Sequence, residues 1–520
     1  MSQSIDITPH ELSIVLQVLK TALQKDSKVW VFGSRAKHSA RHNSDLDLAI
    51  DAGQPLDNKT RMALQMGFEE AHLPYTVDTV DMQTVEPYFK EIIEQQQKPL
   101  PGWGKVPELR FPEFEGEWED KALGNIAKVI DCKHRTPPYI ENGIPVVSPG
   151  SIKWGALDLE SPVKRVSTEE YQSLMDHCDP KVGDLVFSRN QSLGIASYIS
   201  SNNPFVLGQD TVLIQSARDL SFIYYWLQRQ KIQNYITSLS GGSTFSRINL
   251  SDIRQLNIKI SNEDEQQKIA EFLSSMDAKL AKLSRKKTLL EDYKRGLMQQ
   301  IFNQKLRFKQ DDGSEFPEWE LCLFSDLYSW VRTNNLSREY LTDRIGMVQN
   351  IHYGDIHTRF PALFRQSNLS IPYIENEEFT RTIQEEEYCQ IGDVVIADAS
   401  EDYLDIGKAI EIIQVEEHSL VAGLHTYIAR PKRRLALGFS GYLMCSPDVR
   451  KSIQQIAQGV SVLGVSKTNI GLIEVKLPIY EEQQKISHFL SSIDQKIDVV
   501  AKQIEQLESF KKGLLQKLFV

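Results

Sequence analysis

The sequence predicts a multidomain α+β protein: an N-terminal α/β domain, then two further α/β domains separated by two long antiparallel coiled-coil helices. Three observations carry this expectation. At 520 residues the chain is too long for one core, because single cores stop growing near ~250–300 residues. Residues 482–519 repeat residues 265–302 at a constant offset of 217 without a gap, and 18 of the 38 residues are identical. The first hundred residues lie outside that repeat and carry a pattern of their own.

The helices follow from periodicity. In the second copy Ile486, Leu490, Ile493, Ile497, Val500, Ile504, Leu507, Lys511, Leu514 and Leu518 alternate steps of four and three, nine of ten being apolar. The first copy gives Ile269, Leu273, Met276, Leu280, Leu283, Lys287, Leu290, Lys294, Leu297 and Ile301, with eight of ten apolar. This spacing is the a/d seam of a coiled coil. Neither segment contains proline, and each has one glycine, Gly296 or Gly513, so helices of about 57 Å are expected at ~1.5 Å per residue. Their matched lengths predict that they pair with each other.

A mixed domain precedes each helix, and its landmarks recur. KVGDLVFSR (181–189) returns as QIGDVVIAD (390–398), and FPEFEGEWEDKALGNIA (111–127) is echoed by FPEWELCLFSDLY (316–328). GGSTFSRINLSDIRQLNIKIS before the first helix parallels QGVSVLGVSKTNIGLIEVKLP before the second. The repeated unit is therefore one domain plus one helix. Residues 95–105, QQQKPLPGWGK, are polar with two prolines and two glycines, and 99–105 read as a linker.

Composition narrows the function classes. The net charge of −11 argues against coating DNA through uniform positive charge. The sign is uneven: residues 278–309 hold ten Lys or Arg against two acids, so local DNA binding, or sharing phosphate neutralisation with a basic partner, is open. Residues 1–100 carry −4, from 14 acids and 10 bases. Five scattered cysteines without a CxxC pair or zinc-ligand spacing read as reduced thiols. No apolar run approaches the ~18 residues of a membrane span, and no leader pattern opens the sequence; a cytoplasmic protein is expected.

On LRFPEFEGEWE, the GDLVFSR and GDVVIAD turns, EEQQKI, FLSSID and KKGLLQKLF, residues 105–520 resemble the specificity subunit of type I restriction-modification systems. The resemblance implies two target-recognition domains, 106–262 and 309–479, held by conserved helices at 263–308 and 480–520. Each domain would read half of a split double-stranded DNA site. Assembly with two methyltransferase (modification) subunits and with restriction/translocase subunits is implied too. Sequence must be read at base edges, while phosphate contacts set register. Loop-biased polar residues suited to either task are Lys133, His134, Arg135, Lys153, Arg189, Asn190 and Arg247 in the first domain. In the second they are Arg332, Asn334, Asn335, Asn350, Lys408 and Lys467. RTPPY (135–139) imitates the base-holding motif of amino-methyltransferases, but Thr136 cannot supply the required carbonyl. No GxxxxGK[ST] is present either, so methylation and translocation fall to partners.

Residues 1–98 form a separate unit. KVWVF (28–32) is strand-like and runs into GSRAKHSARHNSDLDLAID (33–51). Gly33 and Ser34 form a tight turn suited to phosphates, Asp45 and Asp47 alternate onto one face, and YTVDTVDM (75–82) offers Asp78 across the sheet. Three converging carboxylates need a divalent cation, and oxygen ligands with a triphosphate suit Mg²⁺. The GSR, DLD and Asp pattern resembles the minimal nucleotidyltransferases of the polymerase-beta-like superfamily, often paired with a small helical partner. The resemblance makes Asp45, Asp47 and Asp78 metal ligands and catalytic carboxylates, makes Gly33, Ser34 and Arg35 phosphate contacts, and implies ATP with Mg²⁺. His38 stands where relatives commonly carry glycine. Two readings follow: a DNA-specificity subunit with an appended nucleotidyltransferase, or a protein-modifying, AMP-transferring enzyme targeted by DNA-recognition modules.

Overall fold

A computed structural model describes every residue except 1–4, 25, 42–43 and 241–245, so the GGSTF landmark lies outside the described residues. The chain divides into two compact units, Met1–Ala281 with Glu505–Val520, and Lys282–Ile504.

The first unit opens with α1 (Pro9–Ala22), started by a Thr8/Glu11 capping box that satisfies two orphan N–H groups. Then come β1 (Lys28–Phe32), α2 (Gly33–Ala36), β2 (Leu46–Asp51), α3 (Asn58–Glu69), β3 (Val77–Asp81), α4 (Pro87–Gln96) and β4 (Lys98–Pro99). The sheet runs β3-β2-β1-β4, with β2 antiparallel to β1 and parallel to β3. Leu12, Val15, Leu16 and Leu19 of α1 pack on Val29, Val31, Leu46, Leu48 and Ile50.

Residues 99–105 do not behave as a linker. Val31 and Trp30 of β1 pair with Lys98 and Pro99, Leu100 is fully buried in the first core, and Trp103 Nε1 donates to the Ser27 carbonyl at 2.7 Å. Gly102 and Gly104, both at positive φ, turn the chain; composition alone could not separate such a packed strap from a flexible connector.

The first recognition domain holds a sheet of β5 (Lys128–Asp131), β6 (Gly155–Ala156), β7 (Leu185–Ser188), β8 (Ala196–Tyr198) and β9 (Thr211–Gln215), ordered β5-β9-β7-β8-β6. After it come α5 (Ser221–Leu227) and the long helix α6 (Glu263–Phe302). The second unit repeats the plan with β10 (Tyr328–Val331), β11 (Leu363–Arg365), β12 (Val394–Ala397), β13 (Ala409–Gln414) and β14 (Thr426–Pro431), ordered β10-β14-β12-β13-β11, then α7 (Phe439–Met444) and α8 (Tyr480–Lys517). The recurring Gly-Asp pair is one turn built twice. Gly183 and Gly392 take positive φ, which costs glycine nothing, and Asp184 and Asp393 accept from the N–H three residues earlier at 2.9 and 2.8 Å. The fully buried central strands β7 and β12 follow.

The helix seam is bipartite. In the first unit Ile269, Leu273 and Met276 share a core with Leu514 and Leu518, under Trp118, Phe222 and Trp226. In the second, Met298 and Ile301 share one with Ile486 and Leu490, under Phe439 and Tyr442. Both pairings are antiparallel. α6 stops at Phe302, short of residue 308, where Gln304 takes a left-handed φ of 56° and Lys305 N–H closes on the Gln300 carbonyl.

Each helix start is pinned by a buried ion pair. Arg110 grips Glu265 with both Nε and Nη2 at 2.7 Å, and Arg307 grips Glu482 at 3.2 and 2.9 Å with Trp319 Nε1 donating to the same carboxylate. Both glutamates are 0% exposed.

Candidate functional site

In the N-terminal domain, Asp47 sits on β2 directly opposite Asp78 on β3, with Asp45 one residue before the strand begins. Burial first, then the charges of Asp78 and Asp45, raise the Asp47 carboxyl above its ordinary value, and Arg35 opposes them. A cation placed here would relieve that repulsion. Gly33 meets this cluster: it has φ +71°, and a Cβ there would strike the Asp47 carboxylate. The glycine is thus required twice, by backbone conformation and by close approach. Ser34 follows, half-buried at the start of α2. The Thr76 hydroxyl, which sequence reading missed, donates to Asp45. Asp81 is taken by Arg61 and the Leu56 N–H at 2.8 and 2.9 Å. His38 has φ 53°, a left-handed conformation that glycine adopts more readily than other residues.

Arg35 departs from expectation. It is 5% exposed; its Nε donates to Ser44 O at 2.9 Å, its Nη1 to Asp6 O at 2.8 Å, and its guanidinium stacks 3.6 Å from the Tyr75 ring. The side chain braces the loop before Asp45. A GSR signature cannot reveal this, because the braces come from residues 6, 44 and 75.

Among the described residues, Asp131, Cys132 and His134 alone bring three donor atoms all within 4.8 Å of one another. Asp131 is already held by Arg189 Nη1 at 3.0 and 3.1 Å, and burial pushes the Cys132 thiol up, away from the thiolate that a metal needs. That corner is an ion-pair network into which His134 Nε2 closes at 2.9 Å from Asp131.

The expected DNA-contact residues divide by burial. Arg189 is 5% exposed, donating also to Ile248 O, and Asn350 is 0% exposed, accepting from Asn334 Nδ2 at 2.8 Å. Burial takes both out of reach of a base edge. Asn190 donates to Asp210 at 2.7 Å, and Arg247 pairs with the same carboxylate. Lys133 is tied to Asp176 at 2.7 Å and Arg135 to Glu170 at 2.6 Å. Lys153 and Asn335 are exposed, and Arg332 is 82% exposed beside Glu387. Lys408 donates to His357 O at 3.0 Å, and Lys467 lies 5.0 Å over the Tyr427 ring.

A duplicated α/β domain with a closing helix, preceded by an acidic-strand transferase domain, defines a DNA-specificity protein carrying a nucleotidyltransferase. The chain belongs to the type I restriction-modification specificity family: residues 115–291 and 364–509 match the type I restriction modification DNA specificity domain, and residues 17–101 match the polymerase beta nucleotidyltransferase family. It is 23% identical over 442 residues to a putative type I restriction enzyme MjaX specificity subunit of Methanocaldococcus jannaschii, covering 80% of this chain and 94% of the relative. The N-terminal region is 45% identical over 91 residues to the probable protein adenylyltransferase MntA of Haemophilus influenzae, covering 18% of this chain and 79% of the relative. The solved type I restriction-modification S subunit from M. genitalium aligns over 80% of this chain and 99% of its own at 17% identity, with a TM-score of 0.49. Among the described residues no helix is long and apolar enough to cross a membrane.

Proposed function

We propose that this chain reads a bipartite double-stranded DNA site and directs methylation and restriction by partner subunits, two of them methyltransferases and others restriction translocases. The observation that carries the reading is the duplication itself: two sheets of the same strand order, each closed by the same helix, make two readers on one chain. Phosphate contacts fall to exposed Lys153 and Arg332, with base-edge contacts from Arg135, Arg247, Asn335 and Lys467 at the loops around them. Mapping adenine methylation in cells with and without the chain tests this. A split motif that vanishes on deletion is expected; an unchanged methylome overturns the proposal.

The N-terminal domain carries a second activity, supported by Gly33 lying against Asp47 and by the raised Asp47 carboxyl. It transfers a nucleotide, most simply AMP from ATP, to a protein hydroxyl. The hydroxyl oxygen attacks the α-phosphorus as the bond to pyrophosphate breaks, and the hydroxyl proton passes to a carboxylate of the site. Asp45, Asp47 and Asp78 would hold Mg²⁺, which when bound supplies charge neutralisation for the triphosphate. Label transfer from α-labelled ATP, with a small helical partner or the modification subunits as acceptor, is expected and should disappear in Asp45→Ala and Asp47→Ala. Absence of transfer to any of these partners sinks this second proposal alone.

A further inference from the structure

Two interruptions of the apolar seam, Lys294 and Lys511, occupy equivalent positions in the repeat, 217 residues apart. Each is a cation set into a hydrophobic stripe, and each is satisfied in the same way. In the first unit Lys511 Nζ donates to Asp277 Oδ1 at 2.6 Å and to Gln228 Oε1 at 3.1 Å, while Tyr225 Oη donates to the other Asp277 oxygen at 2.9 Å. In the second unit Lys294 meets Asp494 at 2.6 Å, and Tyr442 Oη donates to Asp494 at 2.6 Å. The lysines lie 5.2 Å and 5.0 Å over the Tyr225 and Tyr442 rings. Asp277 and Asp494 are repeat equivalents, as are Tyr225 and Tyr442. Two copies of one triad thus join three elements: α6, α8, and the short helix, α5 or α7, of the recognition domain.

The positions also fix one register. Seventeen residues forward along α6, from Asp277 to Lys294, match seventeen backward along α8, from Lys511 to Asp494. Apolar a/d residues alone tolerate a slip by one heptad, because every knob finds another hole. A heptad slip puts Ala270 or Ser284 in the place of Asp277, and Ser487 or Ala501 in the place of Asp494, so each lysine loses its counter-ion and each aspartate is left unpaired in a half-buried site. Lysine side-chain exposures are 14% and 20%, enough burial to make the mismatch costly.

We propose that the Tyr225–Asp277–Lys511 and Tyr442–Asp494–Lys294 triads are the positioning residues that select the antiparallel helix register and set each recognition domain's angle on its helices. They thereby determine the gap between the two DNA half-sites; this last step rests on the bipartite-DNA reading above.

The test is a full chain carrying both Lys294→Met and Lys511→Met, assembled with its partners. Methionine fits the seam, so helix content is expected to hold, while Asp277 and Asp494 keep only the Tyr225 and Tyr442 hydroxyls as donors and some stability is lost. Hydrogen exchange across residues 263–302 and 480–517, in the absence of DNA, should turn bimodal as registers mix. In cells, methylated sites should acquire extra gaps differing by about three base steps, since one heptad spans ~10 Å, at roughly a tenth or more of total methylation. Lys294→Arg with Lys511→Arg keeps a donor cation and should return a single envelope and one gap. Unimodal exchange in the methionine variant, with or without lost stability, overturns the register lock. Bimodal exchange with an unchanged gap rejects only the control of DNA spacing, and a wild-type chain with no split motif at all counts against the bipartite reading, not against the lock.

Discussion

Replacing Arg110 by methionine removes the one cation among the described residues that pairs with Glu265, a carboxylate with no solvent exposure. The arginine also donates to the Gly116 and Glu115 carbonyls at 2.5 and 3.0 Å, so its loss leaves a buried charge and two carbonyls unmatched. Breaking a buried ion pair from one side costs about 3–5 kcal/mol, whereas replacing both partners by apolar groups of similar volume is nearly neutral. Arg110→Met is therefore expected to lower the first unit's stability by about 3–5 kcal/mol, and Arg110→Met with Glu265→Leu to recover most of that. Urea unfolding followed by exchange at the amides of residues 263–281, the part of α6 that belongs to the first unit, reads that unit separately from the second. Arg307→Met should be milder, because Trp319 still donates to Glu482. A loss under about 1 kcal/mol in Arg110→Met, or simple additivity in the double variant, refutes the reasoning.

Gly33→Ala should abolish nucleotide transfer while leaving the other units folded: the added Cβ meets the Asp47 carboxylate and a positive φ costs an L-residue ~1–2 kcal/mol; undiminished label transfer contradicts this. Arg332→Ala should weaken DNA binding equally on all sequences and reduce the slope of log affinity against log salt by about 0.9 if it contacts one phosphate. Buried Glu411, which accepts the Gly438 and Gly441 N–H groups at 2.8 and 2.7 Å, has its carboxyl pushed up to about 7 by desolvation. Between about pH 4.5 and 7 the folded chain keeps a proton that the unfolded chain releases, so the second unit loses up to roughly 3 kcal/mol as pH rises through that window. Glu411→Gln should flatten this part of the stability profile, measured by urea midpoints against pH.

Periodicity made the long helices legible, since seam residues at steps of three and four announce themselves whatever they pack on. The Gly-Asp turns were legible too, because a left-handed glycine followed by a capping carboxylate leaves a two-letter trace. Long-range polar pairing was not. Leu109-Arg110-Phe111 and Leu306-Arg307-Phe308 are the same tripeptide, yet the partners of the arginines lie 155 and 175 residues away. Aligning FPEFEGEWE with FPEWE conceals the match, because residues 309–315 intervene in the second copy only. Burial was equally hidden for Arg35, Arg189 and Asn350: loop-like sequence context suggested solvent, while the cations and amide were recruited to satisfy backbone or side-chain groups elsewhere.

The scaffold is duplicated down to individual side chains, but at one place its chemistry reverses. Just past β7 stands Arg189, and just past β12, at the equivalent point of the Gly-Asp segment, stands Asp398. The neighbouring turns match in backbone, with Asp210 at φ 63° and His425 at φ 56°, and their carbonyls accept from Arg189 and Asp398 N–H at 2.8 and 3.1 Å. In the first domain the strand end is cationic and the turn acidic, with Asp210 holding Asn190 and Arg247. In the second the strand end is acidic and the turn bears His425, 3.1 Å from Asp398. Buried Arg189 only supports its corner, while the exposed groups beside these strand ends, Arg247 in the first domain and His425 in the second, present different donor and acceptor patterns to a groove. The two half-sites should therefore be unequal sequences, and not inverted copies. Grafting Asp398→Arg and His425→Asp into the second domain should change methylation in one half of the motif and leave the other half intact; a change in both halves, or a palindromic wild-type motif, contradicts the assignment of one half-site to each domain.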